Sequence, residues 1–515
     1  MLGVFEGESA PRPVLDAIRE GRLAGVAIYR TLNARDPAQV EALTARLEAA
    51  AAEGGRPRPL ICVDQEGGQL VGIPGTTPFP GNLALGAAGD PALTERVGRA
   101  IGTELAAMGV TVDWAPVCDL IDEPANAAVG TRSFGDDPEV VGRHAAALVS
   151  GLRSAGIAAS AKHFPGMGRT VLDPHLGLAA LDADRADLGR HELAPFRAAV
   201  NAGVETVMVA HLRLPAIDPD QTALCSPRVL GGVLRGELGF DGVIVSDALD
   251  MGAVDQETLG SGAIEAIGAG VDLLLPGPAH AEPPEFIDRL RRGIAEAAAS
   301  DRVFGQRLAA AAARVDRLRS GSGRAERPSI EVVGGAEHRA LAAEVAGRSV
   351  TLIRDRDLLL PVRAVAATRV LVVVPQPTDL TPADTSSFVS IDLARALRHR
   401  WPTTTVDEII VPIDPLDGDI VAARVRAQDT DLVVLGTINA FAITGQMRLA
   451  EAVASLGRPT VHVCLRLPHD ALALPSLGTV VATYGIEQPA IEAVADVIAG
   501  IAAPQGRLPV TLRPG

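Results

Sequence analysis

The chain has 515 residues, of which 47% are hydrophobic and 21% are charged, so it is long enough for two or three domains with large cores. Its formal net charge of −16 excludes DNA or another nucleic acid as an expected partner, because binding phosphates requires a basic surface. No uninterrupted apolar run reaches the length of a membrane-spanning helix, and the sequence predicts no membrane association.

The N-terminal residues 1–7, MLGVFEG, contain neither the basic segment nor the cleavage site of a signal peptide, which predicts a cytoplasmic protein. The chain begins directly in a predicted strand, so a missing leader or first helix stays an alternative. Four scattered cysteines have no CxxC or metal-type spacing, which indicates reduced thiols. The sequence does not distinguish a monomer from a homodimer.

Short β-branched runs alternate with helical patterns throughout residues 1–319. The predicted strands are 2–5, 25–29, 60–63, 110–115, 157–162, 205–210, 242–246 and 271–275. The predicted helices are 13–20, 37–53, 91–108, 138–155, 188–202, 227–238, 258–269 and 284–319. Apolar runs without strict alternation are typical of strands buried on both faces. Eight strand–helix units therefore predict a (β/α)8 TIM barrel.

Residues 320–328, which begin with Ser-Gly-Ser-Gly, are predicted to be a linker. The remaining residues, 329–515, contain strand candidates at 349–353, 370–374, 432–436, 460–464 and 480–484, and helices such as 387–398 and 445–455. This alternation predicts a C-terminal α/β sandwich domain. The domain has no glycine-rich phosphate-binding fingerprint.

Ionisable residues collect at the ends of the predicted barrel strands, where a (β/α)8 barrel carries its chemistry. They are Asp64 after strand three, Asp113 and Asp119 around strand four, Lys162 and His163 after strand five, His211 after strand six, and Asp247 after strand seven. Agreement across several strands predicts one site at the barrel mouth.

The segment 162–175, KHFPGMGRTVLDPH, places two histidines, a lysine and an aspartate in one short loop. Pro174 favours an extended conformation at Asp173, and in extended chain residues i and i+2 point the same way. Asp173 can therefore orient His175 and raise its pKa, which suits a histidine that donates and accepts a proton near neutral pH. An incidental Asp–His pair in a surface loop is the alternative.

Asp247 directly follows an apolar strand and is predicted to point into the barrel mouth as a nucleophile or general base, or else to cap the next helix. Asp64, Arg132, Lys162 and His163 can make directional hydrogen bonds to sugar hydroxyls. Their structural alternatives are a turn residue, a surface ion pair and a structural partner of a carboxylate. No His–carboxylate pair has HExxH spacing, so we expect no metal site and no cofactor.

The stretches KHFPG at 162–166 and DPH at 173–175 resemble the signature of glycoside hydrolase family 3, in its β-N-acetylglucosaminidase branch. Further matching stretches follow in the family's order, namely VDQEGG at 63–68, WAPVCD at 114–119, GTRSFG at 130–135, VMVAH at 207–211 and LGFDGVIVSD at 238–247. The resemblance covers nearly all of residues 1–319. The tail, from Tyr484 to Thr511, resembles the second domain of many members.

The resemblance implies a retaining exo-β-N-acetylglucosaminidase that forms a covalent glycosyl-enzyme intermediate. It implies Asp247 as the nucleophile and His175, assisted by Asp173, as the acid/base. The implied sugar-binding residues are Asp64, Arg132, Lys162 and His163, with His211 and Met251 lining the pocket. The implied partner is a small carbohydrate such as a peptidoglycan fragment or a chitooligosaccharide, and no cofactor is implied.

Three residues depart from the family's pattern in the loop. Met167 replaces a histidine, Arg169 stands where a small or acidic residue is frequent, and Pro174 replaces a serine. None of them removes an implied catalytic group, so they bear on leaving-group preference. The alternatives to hydrolysis of N-acetylglucosaminides are a phosphorylase, a β-glucosidase of the same family, and a catalytically retired sugar-binding protein.

Overall fold

The computed structural model describes residues 1–170, 173, 176–256, 259–281, 285–322 and 327–513. Seven parallel strands form the sheet of the first domain in their sequence order. They are β1 (Leu2–Gly3), β2 (Gly25–Ile28), β3 (Leu60–Val63), β4 (Val112–Asp113), β5 (Ala158–Phe164), β6 (Thr206–Val209) and β7 (Val243–Ser246).

Residues 271–275 occupy the position of the eighth strand and close the sheet. The Leu273 amide donates to the Ile244 carbonyl at 3.0 Å, and the Ser246 amide donates to the Leu273 carbonyl at 3.0 Å. On the other side, the Leu2 amide donates to the Leu274 carbonyl at 3.0 Å. The segment thus joins β7 to β1, and the predicted (β/α)8 barrel is confirmed.

Alternating side chains of the strands divide between two cores. In β3, Leu60 and Cys62 belong to the cluster inside the barrel, whereas Ile61 and Val63 belong to the layer between strands and helices. Both sets are fully buried. The continuous apolar runs of the sequence follow from this, because each strand buries both of its faces.

The helices of the first domain surround the strands. They are Arg12–Glu20, Pro37–Glu53, Asn82–Ala88, Pro91–Ala107, Pro138–Ser154, Arg185–Arg190, Leu193–Asn201, Arg228–Glu237, Leu259–Ala269, Glu285–Ser300 and Arg302–Gly321. Several begin at an Asp-Pro pair: the carboxylate of Asp36 accepts from the Gln39 amide at 2.8 Å while Pro37 occupies the first helical position.

Two of the predicted helices are each divided in the structure. The pattern at 188–202 forms helices Arg185–Arg190 and Leu193–Asn201. The pattern at 284–319 forms Glu285–Ser300 and Arg302–Gly321, because the Asp301 carboxylate caps a new helix by accepting from the Val303 amide at 2.8 Å. This last helix runs two residues into the segment predicted as a linker.

The second domain is an α/β sandwich, as predicted. Its sheet contains β8 (Thr351–Asp355), β9 (Arg369–Pro375), β10 (Thr405–Val411), β11 (Leu432–Thr437), β12 (Thr460–Cys464) and β13 (Thr479–Ala482), in the order β8-β13-β12-β11-β9-β10. Only β8 pairs antiparallel within the described sheet. Its helices are Ala336–Ser349, Leu393–Arg400, Asp417–Gln428, Thr444–Ala454, Asp470–Ala473 and Gln488–Ala499.

Strand β10 was not expected from the sequence. It lies at the edge of the sheet, and only Val406 and Val411 among its residues are buried, so it lacks a continuous apolar run. The helix predicted at 387–398 is also shifted, because regular helix begins at Leu393. The residues between β9 and Leu393 instead form an irregular segment that reaches the barrel.

The C-terminal tail ties the second domain to the barrel. The Arg507 amide donates to the Ala87 carbonyl at 2.9 Å, and the Asp136 amide donates to the Pro509 carbonyl at 3.2 Å. Helix Ala336–Ser349 packs on helix Asn82–Ala88 at the same interface. Across the described ranges, no helix combines the length and the apolar character that a membrane span requires.

Candidate active site

A pocket of about 280 Å³ opens at the carboxyl ends of the barrel strands. It brings together six of the nine predicted site residues, which are Asp64, Arg132, Lys162, His163, Asp247 and Met251. The other lining residues are Tyr29, Thr31, Leu70, Met167, Met208, Ala248, Asp250, Leu275, Pro278, Pro382 and Ala383. Several barrel strands and the second domain therefore contribute to one pocket.

A larger cavity of about 510 Å³ lies at the opposite end of the barrel, where the strands begin. Its lining includes Ala158 and Val243, the first residues of β5 and β7, together with Arg153 and Arg314. None of the predicted site residues that the structure describes lines it. Because barrel chemistry belongs at the carboxyl ends of the strands, the smaller pocket is the candidate active site.

Lys162 lies within β5, which extends two residues beyond its predicted end. Its side chain is 1% exposed, and its Nζ bonds Asp64 Oδ1 and lies 2.6 Å from Glu66 Oε1. Burial alone would lower the pKa of Lys162, but Asp64 and Glu66 outweigh it and raise the pKa. The ammonium group is therefore charged and held in one place at the pocket wall.

Glu66 joins Lys162 to Arg132 in a buried ion network. The Arg132 guanidinium donates to Glu66 through Nε at 2.9 Å and through Nη2 at 2.8 Å. Burial would raise the pKa of Glu66, but the two cations outweigh it and hold the pKa at about 2. Gly67 and Gly68 follow with positive φ angles, and a Cβ at Gly68 would lie 2.8 Å from the Pro80 carbonyl oxygen, so this hairpin requires glycine.

The two aspartates around strand four have different roles. Asp113 is buried, accepts from the Gln65 amide at 2.9 Å, and has a pKa raised well above its usual range by burial. Asp119 Oδ2 accepts from His163 Nδ1 at 2.7 Å, and its Oδ1 accepts from the Met167 amide at 2.9 Å. The other ring nitrogen of His163, Nε2, lies 3.4 Å from Arg132 Nη2, so the ring joins Asp119 to the ion network.

Asp247 directly follows β7 and lines the pocket. Its backbone amide donates to the Val209 carbonyl at 3.0 Å, which continues the β6–β7 hydrogen bonding by one residue. This bond fixes the backbone position from which the Asp247 side chain extends. Its Oδ1 accepts from the Ala248 amide at 2.8 Å. The next described helix begins only at Leu259, so Asp247 does not cap it. A half-buried carboxylate at this strand end is placed to meet a bound ligand.

Met251 lines the pocket, as the resemblance implies, but His211 is not among the described lining residues. The His211 ring is buried, and its Nε2 lies 3.0 Å from the Ala248 carbonyl oxygen, next to Asp247. His211 thus supports the turn that follows the Asp247 carboxylate. A role for His211 in lining the pocket stays a prediction.

The predicted acid/base pair is described only in part, because His175 lies outside the described residues. Asp173 is described, and its carbonyl accepts from the Leu176 amide at 2.8 Å. Its carboxylate oxygen Oδ2 accepts from Thr381 Oγ1 of the second domain at 2.7 Å. The roles of Asp173 and His175 in proton transfer stay predictions.

Two of the residues that depart from the family's pattern, Met167 and Arg169, have different surroundings. Met167 is buried in the pocket lining. Arg169 is instead part of an ion cluster, with its Nε 2.9 Å from Glu192 Oε1 and 4.0 Å from Asp122 Oδ2. His191 Nε2 lies 2.8 Å from Asp122 Oδ1 in the same cluster. Met167 can therefore influence ligand preference directly, whereas Arg169 anchors the base of the loop.

Sequence reasoning placed Asp119 at a strand end without assigning it a role, and it did not single out Glu66 or the residues from the second domain. Glu66 and Asp119 lie inside the stretches VDQEGG and WAPVCD, so the family resemblance was the available signal for both. Nothing local marks Pro382 or Ala383, because their contribution depends on how the two domains pack.

The comparisons with known proteins agree with this architecture. The family description "Glycosyl hydrolase family 3 N terminal domain" matches residues 11–318. Beta-hexosaminidase A of Pseudoalteromonas piscicida is 29% identical, over 95% of this chain and 89% of that protein. A beta-hexosaminidase of Stenotrophomonas maltophilia is 40% identical, over 46% of this chain and 71% of that protein.

A solved structure, of a glycoside hydrolase family 3 beta-N-acetylglucosaminidase from Paenibacillus sp., superposes with a TM-score of 0.91. It is 34% identical and covers 99% of this chain, while 97% of its own chain is covered. The family description therefore matches most of the first domain, and the solved structure matches both domains. The chain belongs to glycosyl hydrolase family 3.

Proposed function

We propose that the protein is an exo-acting β-N-acetylglucosaminidase that hydrolyses terminal β-linked N-acetylglucosamine with net retention. The observation that carries this proposal is the pocket in which Asp247 faces the same space as the paired side chains of Lys162 and Arg132. Its volume lies near the lower end of the range of small-ligand sites, about 300–1,000 Å³, which suits a single terminal sugar. The hexosaminidase relatives support the same substrate.

The ion network provides fixed hydrogen-bonding groups for sugar hydroxyls. Lys162 and Arg132 offer donors and Asp64 offers an acceptor, while the His163 ring, held by Asp119, also lines the pocket. Each of these side chains is already held by another charged group, so little rotational freedom is lost when a sugar binds. This arrangement favours a neutral, hydroxyl-rich ligand bound in one orientation.

The proposed reaction has two steps at the anomeric carbon. Asp247 attacks this carbon and forms a glycosyl ester, while His175 protonates the departing glycosidic oxygen. His175 then removes a proton from water, which attacks the same carbon and releases Asp247. The part of His175 rests on the sequence, with Asp173 as its orienting carboxylate.

Water is favoured over phosphate as the acceptor. In the described lining, Arg132 is paired with Glu66, and Lys162 is paired with both Asp64 and Glu66. A phosphate would have to compete with these carboxylates for the cations, and it would be repelled by them. We therefore expect hydrolysis, with peptidoglycan fragments or chitooligosaccharides as substrates.

The test compares Asp247→Asn with Asp250→Asn, since both carboxylates line the pocket and Asp250 Oδ2 accepts from the Ala279 amide at 2.6 Å. Rates are measured on an aryl β-N-acetylglucosaminide, and the anomer first released is identified by NMR with and without phosphate. We expect Asp247→Asn to lose about 10⁴-fold or more of kcat, and Asp250→Asn to lose much less. Wild-type activity in Asp247→Asn, a sugar phosphate product or inversion would refute the proposal.

A further inference from the structure

The second domain extends an irregular segment, residues 376–392, to the mouth of the barrel between β9 and helix Leu393–Arg400. Asp384 organises this segment from inside. Its Oδ2 accepts from the Leu380 amide at 3.1 Å, and its Oδ1 accepts from the Ser386 amide at 2.9 Å. Arg466 neutralises the same carboxylate at 2.8 Å, and both side chains are almost completely buried.

The segment is also fastened to the barrel. The Thr385 amide donates to the Gln69 carbonyl at 2.9 Å, and Thr385 Oγ1 accepts from the Val71 amide at 3.1 Å. These barrel residues belong to the short hairpin, Gln65–Gly67 with Leu70–Val71, that carries Glu66. The segment is therefore held in a defined position relative to the ion network of the pocket.

Thr381 lies in the turn that the hydrogen bond from the Leu380 amide to Asp384 closes, and it is 6% exposed. Its hydroxyl donates to Asp173 Oδ2 at 2.7 Å, a short contact between a neutral donor and a carboxylate. The two residues are 208 positions apart and belong to different domains. Next to Thr381 in the chain, Pro382 and Ala383 line the pocket itself.

We propose that Thr381 is a positioning residue for the acid/base machinery: its hydroxyl fixes the orientation of the Asp173 carboxylate. This inference rests on the proposed function, in which Asp173 orients the proton-transferring histidine. A carboxylate that rotates freely presents its oxygens in many directions, whereas one with an oxygen held by a buried donor presents the other in one direction. The second domain thus contributes to catalysis without supplying the acid.

The test uses three variants of the full-length chain. Thr381→Val keeps the shape of the side chain and removes the hydroxyl, Thr381→Ser keeps the hydroxyl, and Ser387→Ala removes an exposed hydroxyl of the same segment that bonds Asp379. We expect Thr381→Val to lower kcat about tenfold on a disaccharide or alkyl glycoside, with KM changed by less than about twofold. Thr381→Ser and Ser387→Ala should stay within about threefold of wild type.

Leaving-group dependence and coupling to Asp173 distinguish positioning from a structural role. The loss in the first chemical step should shrink for a dinitrophenyl glycoside, because this leaving group departs without a proton. In an Asp173→Asn background, Thr381→Val should cause little additional loss, since the two changes act through one carboxylate. This comparison remains informative if Thr381→Val also lowers the melting temperature.

Several results would overturn the inference. They are a Thr381→Val enzyme with wild-type kcat, a loss confined to KM, an equal loss in Ser387→Ala, or additive losses in the double variant. If the wild-type chain itself fails to cleave N-acetylglucosaminides, the proposed function fails instead, and this outcome is seen before any variant is compared.

Discussion

Replacing Glu66 by glutamine tests whether the buried ion network holds the pocket together. The substitution keeps the size of the side chain but leaves Arg132 and Lys162 buried with one negative charge fewer between them. The amide group of glutamine would also face at least one of these donors with its own N–H groups. Removing one partner of a buried pair costs about 3–5 kcal/mol, because the remaining charge is uncompensated.

For a barrel of roughly 310 residues, an unfolding entropy of about 2.1 cal/mol/K per residue converts this cost into a fall of about 5–8 °C in melting temperature. The assay is calorimetric or fluorescence-detected unfolding at pH 7. The matched control is Glu344→Gln, since Glu344 also receives two hydrogen bonds from an arginine, Arg96, but at a partly exposed position. We expect this control to change the melting temperature by less than about 2 °C.

The pH dependence gives a second check. The pKa of Glu66 is held at about 2 in the folded state, below its ordinary value of 4.5. A lowered pKa contributes stability that is present above the unfolded value and is lost as pH falls through the folded value. The difference between wild type and Glu66→Gln should therefore shrink between about pH 4.5 and pH 2. A melting temperature within about 1 °C of wild type at pH 7 would refute the reasoning.

Two further substitutions test other parts of the molecule. Asp119→Ala removes the acceptor for His163 Nδ1 and for the Met167 amide, so kcat/KM on an aryl N-acetylglucosaminide should fall about 10–100-fold. Asp122→Ala, at the outer cluster, should be nearly silent, and equal losses would contradict this. Glu487 is buried, its Oε2 atom has no hydrogen-bond partner among the described residues, and burial raises its pKa to about 7. The folded protein therefore loses stability as pH rises from the ordinary pKa of 4.5 through 7, because the unfolded chain ionises first. Glu487→Gln should therefore stabilise the chain by about 3 kcal/mol at pH 8 and hardly at all near pH 4.5, and destabilisation at pH 8 would contradict the argument.

The barrel could be predicted from the sequence because its strands are continuous apolar runs. Seven of them appear within a few residues of their expected bounds, and the eighth, 271–275, closes the sheet through backbone hydrogen bonds. Strand β10 escaped the same reasoning since an edge strand has little to bury. The division of the last long helix at Asp301 depends on a local cap that competes with helical periodicity.

The pocket residues were also predictable in large part. Parallel strands end at one edge, so polar residues that follow several strands must lie near each other whatever the details of packing. Lys162 is the only lysine in a chain that otherwise uses arginine, and it lies at the pocket. For His211, the strand end alone did not indicate the contact with the Ala248 carbonyl, because a residue at a strand end can face either the pocket or the neighbouring turn.

The sequence by itself determined the domain organisation, the strand ends that carry the chemistry and the family resemblance, because these follow from periodicity and from short contiguous stretches. Only the tertiary structure decided which charges pair and where the second domain contacts the pocket and its loop. Glu66 meets Arg132 across 66 positions, and Thr381 meets Asp173 across 208. Such pairings depend on side-chain directions and on domain packing, which no local pattern in the chain encodes.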